Sequence, residues 1–206
     1  MDLRSHWEDV YRKRLPATLS WYRPHLETSV QLIEQAMPPS GRLIDVGGGA
    51  ATLVDDLLAR GFTNLEVLDL SRHALERARE RLGPQAARIT WWHADVRDCE
   101  LPAAAYDLWH DRALFHFLTD AADRDAYLVQ LRRALKPGGS AILATFASDG
   151  PPRCSGLPVQ RYDAAQLAAE LGRGFTLVES RAALHCTPAG VPQSFLYCRF
   201  RSQAIE

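Results

Sequence analysis

A glycine-rich turn constrains the fold of this sequence more than any other feature. Gly47-Gly48-Gly49 follows a short apolar segment, Arg42 to Val46, and precedes a helical pattern, Thr52 to Arg60. Glycine at such a junction lets the backbone approach a bound ligand where any Cβ atom would collide with it. The pattern therefore predicts a strand, a ligand-binding turn and a helix, which form the first unit of an α/β sheet.

The same alternation of strand and helix continues along the chain. Two final apolar runs, Thr176 to Glu179 and Ser194 to Phe200, face each other across a loop and predict an antiparallel pair. We therefore expect an α/β fold with a doubly wound, mostly parallel sheet closed by an antiparallel edge. The other predicted strands are Leu65 to Leu68, Ile89 to Trp92, Tyr106 to His110 and Ser140 to Phe146, and the other predicted helices are Ser71 to Leu82, Asp123 to Leu135, which Lys136-Pro137-Gly138-Gly139 should end, and Ala164 to Leu171.

The composition fits one domain that spans residues 1–206. There are 24 Lys and Arg residues against 25 Asp and Glu, so the chain has no bulk field that would attract nucleic acid or an anionic membrane. The four cysteines, Cys99, Cys154, Cys186 and Cys198, show no CxxC spacing, so no metal site is indicated. Because the amino terminus is charged and no run of about 18 apolar residues occurs, we expect a cytoplasmic protein. A monomer is the default expectation, since the sequence does not indicate an oligomeric state.

Residues 1–38 form a predicted helical segment that is rich in aromatic side chains: Trp7, Tyr11, Trp21 and Tyr22. A helix packed on the sheet and a lid over a cofactor pocket both fit this pattern, and the sequence leaves the two open. In the second interpretation, Trp21 and Tyr22 close over the cofactor and contact the substrate.

Acidic residues fall at or just beyond the ends of the first four predicted strands, as Asp45, Asp69, Asp95 and Asp111. Ligands of open α/β sheets bind along this edge. Four carboxylates there would repel the pyrophosphate of a dinucleotide, but they suit S-adenosylmethionine, which carries a sulfonium, an ammonium and a ribose diol. We expect Asp69 to accept both ribose hydroxyls and Asp95 to accept the adenine amino group.

From about Leu43 to Phe200 the chain resembles the class I S-adenosylmethionine-dependent methyltransferases. Asp45, Gly47 and Gly49 match the first motif of that family, with Ala51 in place of its third glycine. Its later motifs are matched in order by Asp69, Asp95 with Val96, the segment Tyr106 to Asp111 and the segment Leu135 to Gly139.

The resemblance implies a Rossmann-like, seven-stranded sheet with a reversed last strand. It implies S-adenosylmethionine as the cofactor and methyl transfer to an N, O or S atom as the reaction. The cofactor site would then be formed by Asp45, Gly47, Gly48, Gly49, Asp69, Leu70, Asp95, Val96 and His110.

In this family the methyl acceptor usually meets the cofactor beyond the fourth strand, which makes His110, Asp111 and Arg112 the candidate catalytic residues. His110 is the first candidate for a general base, because an unperturbed histidine titrates at about pH 6.5. Arg112 and Arg153 would pair with a substrate carboxylate or phosphate, or form ordinary ion pairs. The candidates for substrate contact are Trp21, Tyr22, Arg153, His185 and His116, the last of which also fits a packed core histidine.

The sequence leaves the acceptor open between a protein side chain, such as lysine, and a small molecule. It lacks two signatures of base methylation, an Asn/Asp-Pro-Pro-Tyr stretch after the fourth strand and a Pro-Cys dipeptide. The layout of its aromatic residues resembles protein-lysine methyltransferases that act on elongation factor and on citrate synthase. Asp111-Arg112-Ala113-Leu114, however, stands where such relatives tend to have Asp-Lys-Gly-Thr-Leu.

Two other functions share parts of this pattern. An NAD-dependent oxidoreductase of the short-chain type needs a Tyr four residues before a Lys. Asp9 and Arg132 occupy that position before Lys13 and Lys136, which are the only lysines. A non-catalytic S-adenosylmethionine-binding module that regulates a partner would keep every cofactor motif, and the sequence leaves it open.

Overall fold

Seven strands form one mixed sheet in the computed structural model, which describes residues 2–203. Met1 and residues 204–206, the ends of the predicted domain, lie outside the described residues. The strands of the sheet are β1 (Arg42–Val46), β2 (Asn64–Asp69), β3 (Ile89–His93), β4 (Tyr106–Arg112), β5 (Leu135–Phe146), β8 (Phe175–Cys186) and β9 (Pro192–Ser202), while β6 (Arg153–Cys154) and β7 (Leu157–Pro158) form a separate two-stranded ribbon.

The order of strands across the sheet is β3-β2-β1-β4-β5-β9-β8. The first five strands pair in parallel, and β9 runs antiparallel between β5 and β8. The predicted α/β fold, with a mostly parallel sheet and an antiparallel last strand, is therefore confirmed. Because chain order reverses between β1 and β4, a crevice opens beyond their carboxyl ends, where ligands of such sheets bind.

Helices cover both faces of the sheet, so its central strands are buried on both sides. One apolar cluster packs Ile33 and Leu57 against Leu43 and Leu108, and the other packs Tyr127 and Leu167 against further strand residues. The helices are α1 (Leu3–Lys13), α2 (Glu27–Ala36), α3 (Leu53–Ala59), α4 (Arg72–Leu82), α5 (Ala121–Ala134) and α6 (Ala164–Leu171).

Polar side chains cap the starts of four of these helices, and Asp2 accepts from the amides of Arg4 and Ser5 at the start of α1. The Ser71 side chain accepts from the amide of Ala74 at the start of α4, and the Asp120 side chain caps α5 in the same way. Asp163 and Gln166 form a reciprocal capping box on α6. Each cap satisfies an amide that has no partner within its helix.

Several predicted boundaries differ from the structure, and three of these differences affect the sheet or the site. Helix α5 ends at Ala134, and the segment Lys136 to Gly139, which we expected to end it, lies inside β5. In this segment the pairing between β4 and β5 shifts from Tyr106 with Leu135 to Leu108 with Ser140. The extra residues form a bulge, which glycine permits at Gly138, where φ is +74°. Strand β8 runs well beyond the predicted Thr176 to Glu179, and β4 runs two residues beyond the predicted end at His110.

The longer β4 corrects the expected row of four carboxylates, because Asp111 does not line the cleft. Alternate residues of a strand point to opposite faces, and the Asp111 side chain points toward α5. The hydroxyl of Tyr127 donates to its carboxylate at 2.7 Å, and Trp109 donates to that hydroxyl at 2.8 Å. Burial raises the pKa of Asp111 to about 6, although Tyr127 and the amides of Leu114 and Phe115 partly offset the shift.

We predict that Asp111→Ala lowers the free energy of unfolding by about 1–3 kcal/mol, because it leaves the buried Tyr127 hydroxyl, the buried amide of Phe115 and the half-buried amide of Leu114 without their acceptor. Urea denaturation measures this change. Asp98→Ala, at an exposed loop position, is the matched control and should change stability by less than about 0.5 kcal/mol. Equal stabilities of the two variants would contradict a structural role for the Asp111 carboxylate.

Candidate active site

A cleft opens at the carboxyl ends of β1, β2 and β4. The glycine turn and the residues that follow β2 and β3 line one side, and the segment that leads from α1 to α2 covers the other. The lining of the cleft includes eight of the nine predicted cofactor residues: Asp45, Gly47, Gly48, Asp69, Leu70, Asp95, Val96 and His110. The ninth, Gly49, lies in the turn beside Asp69.

The glycine turn needs glycine at each of its three positions. Gly47 and Gly49 have φ values of +69° and +49°, which side chains rarely adopt. A Cβ atom on Gly48 would lie 2.4 Å from Oδ2 of Asp45. A Cβ atom on Gly49 would lie 2.8 Å from Oδ2 of Asp69 and 2.9 Å from the hydroxyl oxygen of Tyr11. The turn therefore packs directly against both acidic side chains.

Asp69, at the end of β2, is a buried carboxyl group in a negative environment. Burial raises its pKa to about 7, and the charges of Asp45 and Glu8 add to the increase. The amides of Ser71 and Gly49 offset part of it, and the Ser71 amide donates at 2.7 Å. Because Asp45 and Glu8 add negative charge around it, this carboxyl suits neutral hydroxyl donors better than a phosphate, which it would repel.

Asp45 is held by a histidine on the neighbouring strand. Nδ1 of His110 lies 2.7 Å from Oδ1 of Asp45, and Nε2 lies 2.9 Å from the hydroxyl oxygen of Ser29 on α2. Because an ionised carboxylate only accepts, Nδ1 donates to Asp45. Both ring nitrogens of His110 are thus engaged, and the ring orients Asp45 rather than standing free as a base.

Asp95, in the loop after β3, is paired with Arg97. Arg97 donates from its amide and from Nε to Oδ1, each at 3.0 Å, and from a terminal nitrogen to Oδ2 at 2.6 Å. Burial alone would raise the pKa of Asp95, but these hydrogen bonds outweigh it and lower the pKa. Arg97 also reaches Asp123 of α5 at 2.7 Å, which fixes the loop against the body of the protein.

Helix α1 is docked over the cleft by a carboxylate. Glu8 accepts from the amides of Arg72 and His73, at 2.8 Å and 3.1 Å, and from the hydroxyl of Ser71, so it caps α4 from another helix. Burial opposes ionisation of Glu8, but these donors and the His73 ring lower its pKa to about 2. The docking places Trp7 and Tyr11 at the cleft.

The chain that follows α1 is fastened by three of its backbone carbonyls. His185 donates to the carbonyl of Ser20 at 2.5 Å, Arg112 to that of Trp21 at 3.0 Å, and Thr52 to that of Arg23 at 2.9 Å. We call residues 19–23 the strap. The strap carries the Trp21 ring, which lies 5.6 Å from the Trp7 ring and lines the cleft.

The predicted catalytic and substrate-contact residues separate into several groups. Trp21 and Arg112 line the main cleft, whereas Tyr22 lines a smaller cavity beneath the strap and His185 lines a third cavity beside β9. His116 is buried, its Nδ1 accepts from the amide of Phe146 at 3.2 Å, and burial lowers its pKa to about 3. Arg153 is exposed and donates to the carbonyl of Gly156.

Sequence reasoning missed several residues of this site. The spacing of Asp95 and Arg97, two residues apart, is a signal that would have predicted their pairing. The cap that Glu8 forms on α4 joins residues more than sixty positions apart, and no local pattern indicates it. Among residues 2–203, no helix is both long and apolar enough to cross a membrane, and no three His, Cys, Asp or Glu side chains gather as metal ligands.

Comparison with known proteins agrees with this architecture. Residues 43–139 match the model of a family described as a methyltransferase domain. An eEF1A lysine and N-terminal methyltransferase of Mus musculus is 23% identical over 148 residues, which cover 69% of this chain and 21% of the relative. An uncharacterized methyltransferase of Mycobacterium bovis is 35% identical over 115 residues, 55% of each chain. This chain thus spans about a fifth to about half of the length of these relatives.

Solved structures share the fold across nearly the whole chain. A structure concerned with conversion of a disulfide bond into a thioacetal group during echinomycin biosynthesis has a TM-score of 0.79 and 20% identity, and covers 100% of this chain and 93% of its own. A Burkholderia thailandensis 1,6-didemethyltoxoflavin-N1-methyltransferase with bound S-adenosylhomocysteine has a TM-score of 0.71 and 20% identity. The match covers 98% of this chain and 87% of that methyltransferase. The match to a methyltransferase domain, the motif order and the seven-stranded sheet make this chain similar to the class I S-adenosylmethionine-dependent methyltransferases, whose fold it shares.

Proposed function

We propose that this chain transfers a methyl group from S-adenosylmethionine to an N, O or S atom of an acceptor held in the cleft. The observation that carries the proposal is the pair of buried carboxyl groups, Asp45 and Asp69, packed against a turn that only glycine can form. When bound, S-adenosylmethionine supplies a methyl group on a sulfonium, which is already activated for displacement.

The residues present fit this cofactor in separate parts. Asp69 would accept the ribose hydroxyls, Asp95 the adenine amino group, and Asp45 the ammonium of the methionine moiety. Leu70 and Val96 would flank the nucleoside. The protein's own contribution to the reaction is then positioning, together with exclusion of water by α1 and the strap.

The structure offers no free general base among the predicted catalytic residues. His110 is engaged at both nitrogens, the Asp111 carboxylate faces α5, and Arg112 is a cation. We therefore propose that the acceptor atom reacts as a nucleophile that needs little help from a protein base, and that Arg112 contacts the acceptor.

The alternative of a non-catalytic module predicts binding without turnover. The test is to incubate the full chain with cofactor carrying a tritiated methyl group and an extract divided into protein and small-molecule fractions. We expect label to leave the cofactor for one fraction, and Asp69→Ala to reduce the transfer. If S-adenosylhomocysteine binds but no fraction is labelled, the regulatory alternative is favoured. If the ligand does not bind, the proposal fails.

The N-terminal cover, the monomeric state, the cytoplasmic location and the lack of a nucleic-acid partner stay predictions from the sequence. The docking of α1 onto α4 through Glu8 supports the prediction that the N-terminal segment covers the cofactor site. Balanced charge supports the absence of a nucleic-acid partner.

The raised pKa of Asp69 predicts pH-dependent cofactor binding. Without ligand, this carboxyl lowers stability as pH rises from 3.8 to about 7, because the folded state favours the protonated form. Hydroxyl donors favour the ionised form, so at low pH the ligand must displace a proton. We predict that affinity for S-adenosylhomocysteine rises about tenfold between about pH 6 and about pH 8, with proton release measurable by calorimetry in two buffers.

Asp69→Asn should bind more weakly and lose most of this pH dependence. Asp98→Asn, at an exposed position, should retain it. An unchanged pH profile in Asp69→Asn would remove Asp69 from the cofactor site.

The His110–Asp45 contact predicts that loss of His110 weakens binding of ligands that carry the amino-acid part of the cofactor, and of no others. We expect His110→Asn to weaken binding of S-adenosylhomocysteine by about 1–2 kcal/mol, because Asp45 loses the donor that orients it. Binding of 5′-methylthioadenosine, which has the nucleoside but no ammonium, should be unchanged in calorimetry. Asp69→Asn is the matched comparison, since it should weaken both ligands. Equal losses for both ligands in His110→Asn would contradict the positioning role.

A further inference from the structure

Arg112 is a half-buried cation with only neutral neighbours. At the carboxyl end of β4, its Nε donates to the hydroxyl of Tyr197 at 3.1 Å, and one terminal nitrogen donates to the carbonyl of Trp21 at 3.0 Å. The guanidinium lies 5.0 Å from the centre of the Phe195 ring. Within residues 2–203, no carboxylate pairs with it and its second terminal nitrogen has no hydrogen-bond partner, so donors remain for a ligand.

Two other arginines near the cleft form ion pairs. Arg97 is neutralised by Asp95 and Asp123, and Arg23 lies 3.3 Å from Glu27. Removing an arginine from water without a carboxylate partner costs stability. A protein keeps such a charge more readily where a ligand supplies the missing anion.

The position of Arg112 points to the acceptor rather than to the nucleoside of the cofactor. Arg112 lines the main cleft and both smaller cavities, whereas Asp69 and Asp95 line only the main cleft. The positive charge of Arg112 also contributes to the lowered pKa of His116 and of His185, although burial is the larger cause for both. The surroundings of Arg112 are therefore electropositive, while the part of the cleft lined by Asp69 and Asp95 is acidic.

The surfaces beside Arg112 are aromatic. Trp7 lies 5.0 Å from Phe117 and 5.6 Å from Trp21, measured between ring centres, and all three line the cleft. Phe195 and Tyr197 line the adjoining cavity. Such walls favour a planar, apolar body over a flexible chain.

Resting on the proposed function, we propose that the methyl acceptor is a small aromatic compound with an anionic group, carboxylate or phosphate, that pairs with Arg112. The guanidinium would form charge-assisted hydrogen bonds to two oxygens of that group. A lysine side chain, with its own positive charge, is disfavoured beside Arg112.

The experiment measures binding of paired probes to the full chain saturated with S-adenosylhomocysteine. Benzoate and phenyl phosphate are compared with benzamide, which is neutral, and benzylamine, which is cationic, by calorimetry. We expect at least one acid to bind about tenfold more tightly than benzamide, and benzylamine to bind most weakly. The better of the two acids distinguishes a carboxylate from a phosphate on the natural acceptor.

Arg112→Gln should abolish the preference for the acid and leave the affinity for S-adenosylhomocysteine within about twofold of that of Thr52→Val, which also loosens the strap. Because Arg112 also holds the strap, Thr52→Val is the matched control: it removes a different strap bond and should keep the preference. Arg153→Gln, which removes an exposed positive charge, should keep it as well.

Three results would overturn the inference about the acceptor. They are binding of neither acid at millimolar concentration, equal binding of acid and amide, and a large loss of S-adenosylhomocysteine affinity in Arg112→Gln. The last would assign Arg112 to the carboxylate of the cofactor itself. Failure of S-adenosylhomocysteine to bind the unaltered chain would instead contradict the proposed function.

Discussion

The burial of two carboxyl groups against a glycine turn is the constraint on which the rest of the site depends. Asp45 and Asp69 end adjacent parallel strands, and the turn between β1 and α3 passes so close to both that a Cβ atom on Gly48 or Gly49 would collide with them. Burial of a charge requires compensation. His110 supplies it for Asp45, whereas Asp69 accepts from the amides of Ser71 and Gly49 and has a raised pKa.

The remaining charges of the cleft follow from the same requirement. Arg97 satisfies Asp95, and the amino terminus of α4 satisfies Glu8. Asp69 and Arg112 lie in the same cleft, and neither forms an ion pair with another residue in the range 2–203. These two charged groups, which the protein itself compensates incompletely, thus lie where a ligand is expected. Groups of this kind often occur at functional sites.

Much of this architecture could be predicted from the sequence, because it rests on local patterns. The glycine turn, the alternation of strands and helices, and the acidic residues at the ends of β1 and β2 are all short-range features. The errors came where a change of one or two residues in the length of an element changes the outcome. Two more residues in β4 place Asp111 in a strand that alternates its side chains, so this carboxylate points away from the cleft. The strap depends on contacts between distant segments, such as Arg112 with Trp21, which no local pattern encodes.

The docking of α1 over the cleft is coupled to the protonation of Asp69. Burial is the main cause of the raised pKa of Asp69, and the negative charge of Glu8 adds to it. Displacement of α1 would admit water and remove that charge, so the open state would favour the ionised carboxylate. By thermodynamic reciprocity, ionisation of Asp69 must then weaken the docking of α1 to the same extent. The first helix and the second strand thus share one equilibrium, in which gain or loss of a single proton shifts the balance between closed and open forms.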